Sequence, residues 1–220
     1  MRAGVVRAGT LPYARVMGRR ASDEHASAMT RAVSRAIALA AVTAMLLALV
    51  AIGPVAAGSI TRDPAAEAYA LQLLNCTRTG GFVRANGTCA GRGSGMYSAL
   101  RKPLRLHRRI STKVALPWAR TMVQHGTCAH ELPRKPKLSQ RMRSKGFGYW
   151  TYGENIGCSW GSTDAKAVVL ATHRAMQAEK KENGGHWRNI KSPRYKSVGI
   201  GVAKGNGRIM VVWDFYGKRF

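Results

Sequence analysis

Two histidines and a carboxylate stand in the second half of the chain in company that could make them chemical. His130 closes Cys128-Ala129-His130. Glu154 lies in Gly153-Glu154-Asn155-Ile156-Gly157, directly before Cys158, and His186 lies in Gly185-His186-Trp187. Imidazole nitrogens suit zinc or a similar divalent ion that keeps open positions for water. A carboxylate beside such a ring accepts a hydrogen bond from the other nitrogen, fixing the tautomer and raising basicity. The same set could polarise a water for hydrolysis, or act only as a mutually satisfied polar network in the core. The helix-borne His-Glu-x-x-His of zinc proteases is absent. Ser159 and Ser162 lack a neighbouring base motif, so a serine hydrolase has no support.

The cysteines bear on whether these residues can meet. The chain has four, Cys76, Cys89, Cys128 and Cys158, and no Cys-x-x-Cys pair, which argues against a cysteine zinc site. An even count in an exported domain reads as two disulfides, with three connectivities open. Cys76 and Cys89 flank a turn-rich stretch suited to a local loop, which leaves Cys128 and Cys158 to pair across the domain. That second bridge would draw His130 and Glu154 together.

Export is read from the first quarter of the chain. Residues 36–57 are apolar and Ala-rich, preceded by Arg31 and Arg35 and closed by Gly53-Pro54-Val55-Ala56-Ala57. This order describes a secretory signal cleaved after Ala57, with a membrane anchor through residues 36–57 as the alternative. Met29 begins a more ordinary signal than Met1 does. Residues 1–57 are therefore assigned to an N-terminal extension and signal, 58–64 to a linker and 65–220 to one domain. The net charge is +26. Residues 1–57 hold seven Arg against Asp23 and Glu24, so their removal takes five net charges and leaves +21. Such a domain is drawn to polyanions in a salt-dependent way. For an exported protein the expected partners are anionic cell-envelope polymers or lipid head groups, and nucleic acid is not expected.

The elements that must hold the site are legible as periodicities. Asp63-Pro64 opens a helix running to Asn75, and the glycine-rich stretch from Cys76 to Met96 reads as loop. Leu106, Ile110, Val114, Trp118 and Met122 recur every four residues, predicting a helix over 106–124 with a kink at Pro117. A short helix spans 138–145, and another spans 164–178 with Ser162 or Thr163 as cap. Residues 198–203 and 208–216 flank Gly205-Asn206-Gly207 as an antiparallel hairpin, and 151–159 could add a strand. The fold class is α+β. His107, His125 and His173 read as surface or packing residues, and Leu116, Trp118 and Met122 as core.

At this point the residues resemble a family. His130, Gly153-Glu154-Asn155-Ile156-Gly157, Gly185-His186-Trp187-Arg188-Asn189-Ile190 and Val198-Gly199-Ile200-Gly201-Val202 look like the successive signatures of the CAP, or SCP-like, superfamily of cysteine-rich secretory proteins, antigen 5 and pathogenesis-related proteins. Arg141-Met142-Arg143-Ser144-Lys145-Gly146-Phe147 fits its bacterial extracellular branch. The resemblance covers about residues 65–216. It implies an α/β/α sandwich with a cleft of two His and two Glu: His130, Glu154, His186 and a second glutamate. Glu179 is preferred for that last place, with Glu182 as rival; Met176 stands where the family often has Trp.

The resulting expectation is a secreted CAP-type domain with a His/Glu cleft. Its role would be ligand binding or an envelope-associated one, with zinc or another divalent metal at His130 and His186. The alternatives are a metal-dependent hydrolase using His130, Glu154, Glu179 and His186, and a cationic protein that binds anionic envelope polymers by charge. A small apolar ligand is a family-level expectation that no particular residue here carries.

Overall fold

A computed structural model describes residues 58–148 and 150–218. The signal, its cleavage point and the alternative anchor lie outside the described residues.

The first helix, α1 (Pro64–Arg78), starts where Asp63 accepts a hydrogen bond from the Ala66 N–H at 3.0 Å. Pro64 costs nothing at that position, because its missing N–H would have had no helical partner. Ala66, Ala70, Leu73 and Leu74 recur on one face and are buried. Each Leu contributes about 2 kcal/mol through its burial. The helix runs three residues further than expected, through Cys76 to Arg78. The loop that follows folds into a small hairpin, β2 (Phe82–Val83) with β3 (Cys89–Ala90). The Cys76–Cys89 disulfide ties this hairpin to the helix.

The stretch read as a linker contains β1 (Thr61–Arg62), which pairs with the sheet. Leu106 is not helical: β4 (Arg105–Leu106) pairs in parallel with the sheet, and the His107 ring caps the next helix by accepting from the Ile110 N–H. That helix, α2, runs from Arg108–Ile110 through a π-helical turn at Ser111–Ala115 into Leu116–His125. The widened turn takes the place of the expected kink. The Leu116 N–H reaches back to Ser111 O immediately before Pro117, which has no N–H to give.

A short helix, α3 (Leu138–Arg143), leads to the long strand β5 (Trp150–Trp160). Next comes α4 (Ala165–Ala178), whose cap is Asp164 rather than Ser162 or Thr163. The Asp164 carboxylate accepts from Lys166 and Ala167 at 2.9 and 3.1 Å. A 3₁₀ turn (Glu179–Glu182) and a helix absent from the expectations, α5 (Gly185–Lys191), follow. The chain then forms β6 (Ser197–Gly205) and β7 (Arg208–Lys218).

The sheet order is β1-β6-β7-β5, with β4 also on β6. The β6–β7 hairpin turns at Asn206 and Gly207, both with positive φ (52° and 67°), the conformation that matches strand twist in a two-residue turn. Alternation on β7 sends Ile209, Val211, Trp213 and Phe215 toward α1, α4 and α5, and Met210 and Val212 toward α2. Two helical layers thus cover the two faces, and the fold is the expected α/β/α sandwich with a C-terminal antiparallel hairpin.

His173 has a core role in this arrangement. It is fully buried on α4, and its Nε2 lies 2.8 Å from Thr77 Oγ1 of α1. The Thr77 hydroxyl donates to Gln177 Oε1, which also accepts from the Val83 N–H. Thr77 must then accept from His173, so Nε2 carries the ring proton. Burial lowers the His173 pKa to about 4. In the unfolded chain the ring takes up its proton near pH 6.5, so stability is complete above that and falls as pH drops toward 4. The span corresponds to about 3 kcal/mol, or roughly 10 °C in Tm. Tm should therefore fall over this window, and His173→Gln should flatten that part of the profile. Parallel profiles for the two proteins would refute the assignment.

Candidate functional site: a cleft of paired histidines and glutamates

Each half of the cleft is built separately. In the first, alternation on β5 places Glu154 on the same face as Ile156 and Cys158, under α2. His130 sits on the loop after α2. The Cys128–Cys158 disulfide pins that loop to β5, and Trp118 Nε1 holds it by donating to Ala129 O at 3.1 Å. The His130 Nδ1 lies 2.9 Å from Glu154 Oε1, with the imidazole half exposed and the carboxylate buried. Arg141 of α3 forms a salt bridge to Glu154 Oε2 while its guanidinium lies 3.9 Å over the Trp118 ring.

In the second half, Glu179 begins the 3₁₀ turn and its carboxylate faces the start of α5. Oε1 lies 2.5 Å from His186 Nδ1, and Oε2 accepts the backbone N–H of His186 at 3.0 Å. Gly184 permits this approach, since a Cβ there would stand 2.5 Å from Glu179 Oε2. Partial burial raises the Glu179 pKa, but the His186 hydrogen bond and charge and the Trp187 and His186 N–H groups outweigh it and hold the carboxyl below its ordinary value. Glu182, the rival, lines the same cavity. Glu179 is the carboxylate bonded to His186.

Asparagines join the halves. Asn155, buried on the other face of β5, donates to His186 O at 3.2 Å. Asn189 of α5 donates to Glu154 O and Asn155 Oδ1 at 3.2 and 2.8 Å. The two imidazoles thereby face each other with ring centres 6.5 Å apart across a cavity of about 650 Å³. An ionised carboxylate can only accept, so a ring bonded to one donates through Nδ1, and in the neutral ring that leaves the lone pair on Nε2.

A divalent ion was tested against this donor set. Two imidazoles on one tetrahedral zinc place their ring centres about 5 Å apart, given bonds of roughly 2.0–2.1 Å. The observed separation of 6.5 Å would have to close by about 1.5 Å. Among the described residues no group of three or more His, Cys, Asp or Glu is placed to hold a metal ion. His130 and His186 would therefore be the protein's whole contribution, with water or ligand completing the shell. Within those limits the residues fit.

One residue beneath the site escaped the motif reading. Asp214 lies directly opposite Glu154 in the β5–β7 register, fully buried, with no donor on either carboxyl oxygen; its own proton is the one that can bond to Glu154. Burial first, then the charge of Glu154, pushes its pKa well above the ordinary value, against a smaller opposing pull from Arg141. The signal was available in the alternation of β7, which puts Asp214 on the buried face of Met210 and Val212. Arg141 was read only as part of a motif, and Asn189 likewise.

Fold and cleft together define a CAP-type domain. The chain belongs to that family: the model of the cysteine-rich secretory protein family, CAP, matches residues 101–215. Among solved structures, an extracellular protein containing a SCP domain from Bacillus anthracis str. Ames is 18% identical, with a TM-score of 0.43. The alignment covers 54% of this chain and 35% of that one, so this chain spans about a third of its length. The crystal structure of NaASP2 with Zn2+ is 15% identical at a TM-score of 0.45, covering 70% of this chain and 80% of that one. No curated protein matches.

The Asp214 environment makes a signed prediction. In the unfolded chain the carboxyl loses its proton near pH 4, whereas the folded protein holds it to higher pH. The wild type accordingly loses stability as pH rises above about 4 toward the folded-state pKa. Asp214→Asn removes this dependence, so its stability relative to wild type should improve as pH rises above about 4 in urea titrations. A difference that does not move with pH would refute it.

Proposed function

We propose that this is an exported CAP domain whose histidine cleft binds a ligand through a divalent ion, zinc or one like it, at His130 and His186. The observation that carries the reading is the pair of carboxylate-oriented imidazoles, Glu154 on His130 and Glu179 on His186, facing each other across one cavity. A lone structural network would have no need of two separately tethered rings lining one cavity. Export is supported by the signal-like residues 36–57 and by two disulfides, which persist in oxidising compartments.

The side chains have distinct parts in this reading. His130 and His186 would hold the ion. Glu154 and Glu179 keep the Nδ1 protons in place, which raises the basicity of Nε2. Arg141 keeps Glu154 aimed, and Glu182 and Arg188 present opposite charges at the cavity wall to whatever enters. A bound ion would supply Lewis acidity toward an oxygen of the ligand.

Calorimetric titration of the full chain with zinc tests this. One ion per chain is expected, with His130→Ala/His186→Ala weakening affinity by at least about tenfold and Glu179→Gln by about 10–100-fold. Circular dichroism and thiol counting would verify that the folds and disulfides are intact. Equal zinc binding by the folded double variant and wild type would overturn the proposal.

A further inference from the structure

A second, smaller cavity of about 230 Å³ lies between α2 and α3, and it shares no lining residue with the histidine cleft. The π-helical turn of α2 helps to form it. Lys113 and Val114 belong to that turn, and Pro117 follows it by two residues. Pro136, from the loop before α3, adds to the same lining. Widened turns sacrifice regular helical hydrogen bonding and recur at functional sites.

Arg141 of α3 is part of this lining and is buried. Its Nη2 forms the salt bridge to Glu154, and its Nη1 donates to His130 O at 3.4 Å. Its Nε has no hydrogen-bond partner. A buried N–H without an acceptor is costly, and an acceptor entering the cavity would remove that cost. Burial lowers the Arg141 pKa despite the opposing pull of Glu154, Asp214 and Glu131, so the carboxylates already present do not offset its desolvation.

Three lysines add to this charge from three separate segments: Lys113 from α2, Lys135 from the loop before α3 and Lys145 from the chain after it. All three are exposed, and among the described residues none of their ammonium groups has a hydrogen bond or ion pair. No acidic side chain lines the cavity. Cations gathered at one apolar-walled site are stabilised by an anion placed among them.

We propose that this cavity binds a small organic acid, its carboxylate among Lys113, Lys135 and Lys145 and its ring-sized apolar body against Val114, Pro117 and Pro136. The volume lies below that of drug-sized pockets, so one compact body fills it. A bare inorganic anion would leave the proline and valine wall in water. A neutral body would leave the lysines without a partner and the Arg141 N–H without an acceptor. The site does not depend on a metal at His130 and His186.

Benzoate is the probe, with binding to the full chain measured by calorimetric titration at low salt. Lys113→Glu/Lys135→Glu should weaken binding by at least about tenfold. Arg84→Glu/Arg174→Glu makes the same change in net charge at exposed positions outside the cavity, and its loss should stay within about threefold. Arg141 is left unchanged because it positions Glu154. Circular dichroism would verify that both variants fold. No benzoate binding by the wild type, or equal losses in the two variants, would overturn the proposal. Acetate or benzyl alcohol binding as tightly as benzoate would overturn it in favour of a simple anion site or a purely apolar one. Tighter binding of an acetylated tripeptide with a free carboxyl end would overturn it in favour of a peptide terminus.

Discussion

The carboxylate of Glu154 is buried beneath a helix, and much of the molecule is arranged to make that tolerable. An unpaired charge there would cost several kcal/mol. Its partners arrive from distant parts of the chain: Arg141 from α3, and His130 from a loop that a disulfide fastens to the same strand. Arg141 in turn needs Trp118 beneath its guanidinium, and Trp118 anchors the loop through Ala129. Compensating one carboxylate therefore fixes the relative placement of α2, α3, β5 and the first half of the cleft. Asp214 is the neighbour the arrangement leaves uncompensated, which is why it retains its proton.

The second half obeys a different rule. Glu179 is not buried, and it is held because its oxygens satisfy N–H groups at the start of α5 as well as the His186 ring. One carboxylate is positioned by desolvation and a strong cation, the other by helix-end donors. The cleft thereby joins a rigid buried half to a more accessible one. It also gathers Glu154, Glu179 and Glu182, much of the scarce negative charge of a chain of net +26. The charge surplus and the carboxylate-rich cleft are two sides of one distribution.

Much of the fold was legible in the sequence, because burial repeats with the period of the element. The four-residue recurrence through Ile110, Val114, Trp118 and Met122 marked α2, the Asn206-Gly207 turn marked the hairpin, and the local loop between Cys76 and Cys89 implied both disulfide pairings. The misses have physical reasons. Leu106 has helical spacing but is captured by pairing with Val198. Pro117 is absorbed by a widened turn that no periodicity announces. Asp164 rather than Ser162 caps α4, because the cap is decided by where the chain leaves extended geometry.

The order of motifs and the chemistry of His130, Glu154 and His186 were determined by the sequence alone, since residue type sets donor character and motif order sets the family. Only the tertiary structure put Glu179 on the His186 ring, set Asp214 beneath Glu154, and gave Asn155 and Asn189 their work in joining the halves. Periodicity encodes which face a side chain takes, whereas its partner depends on contacts between segments many residues apart, and those exist only once the chain has folded.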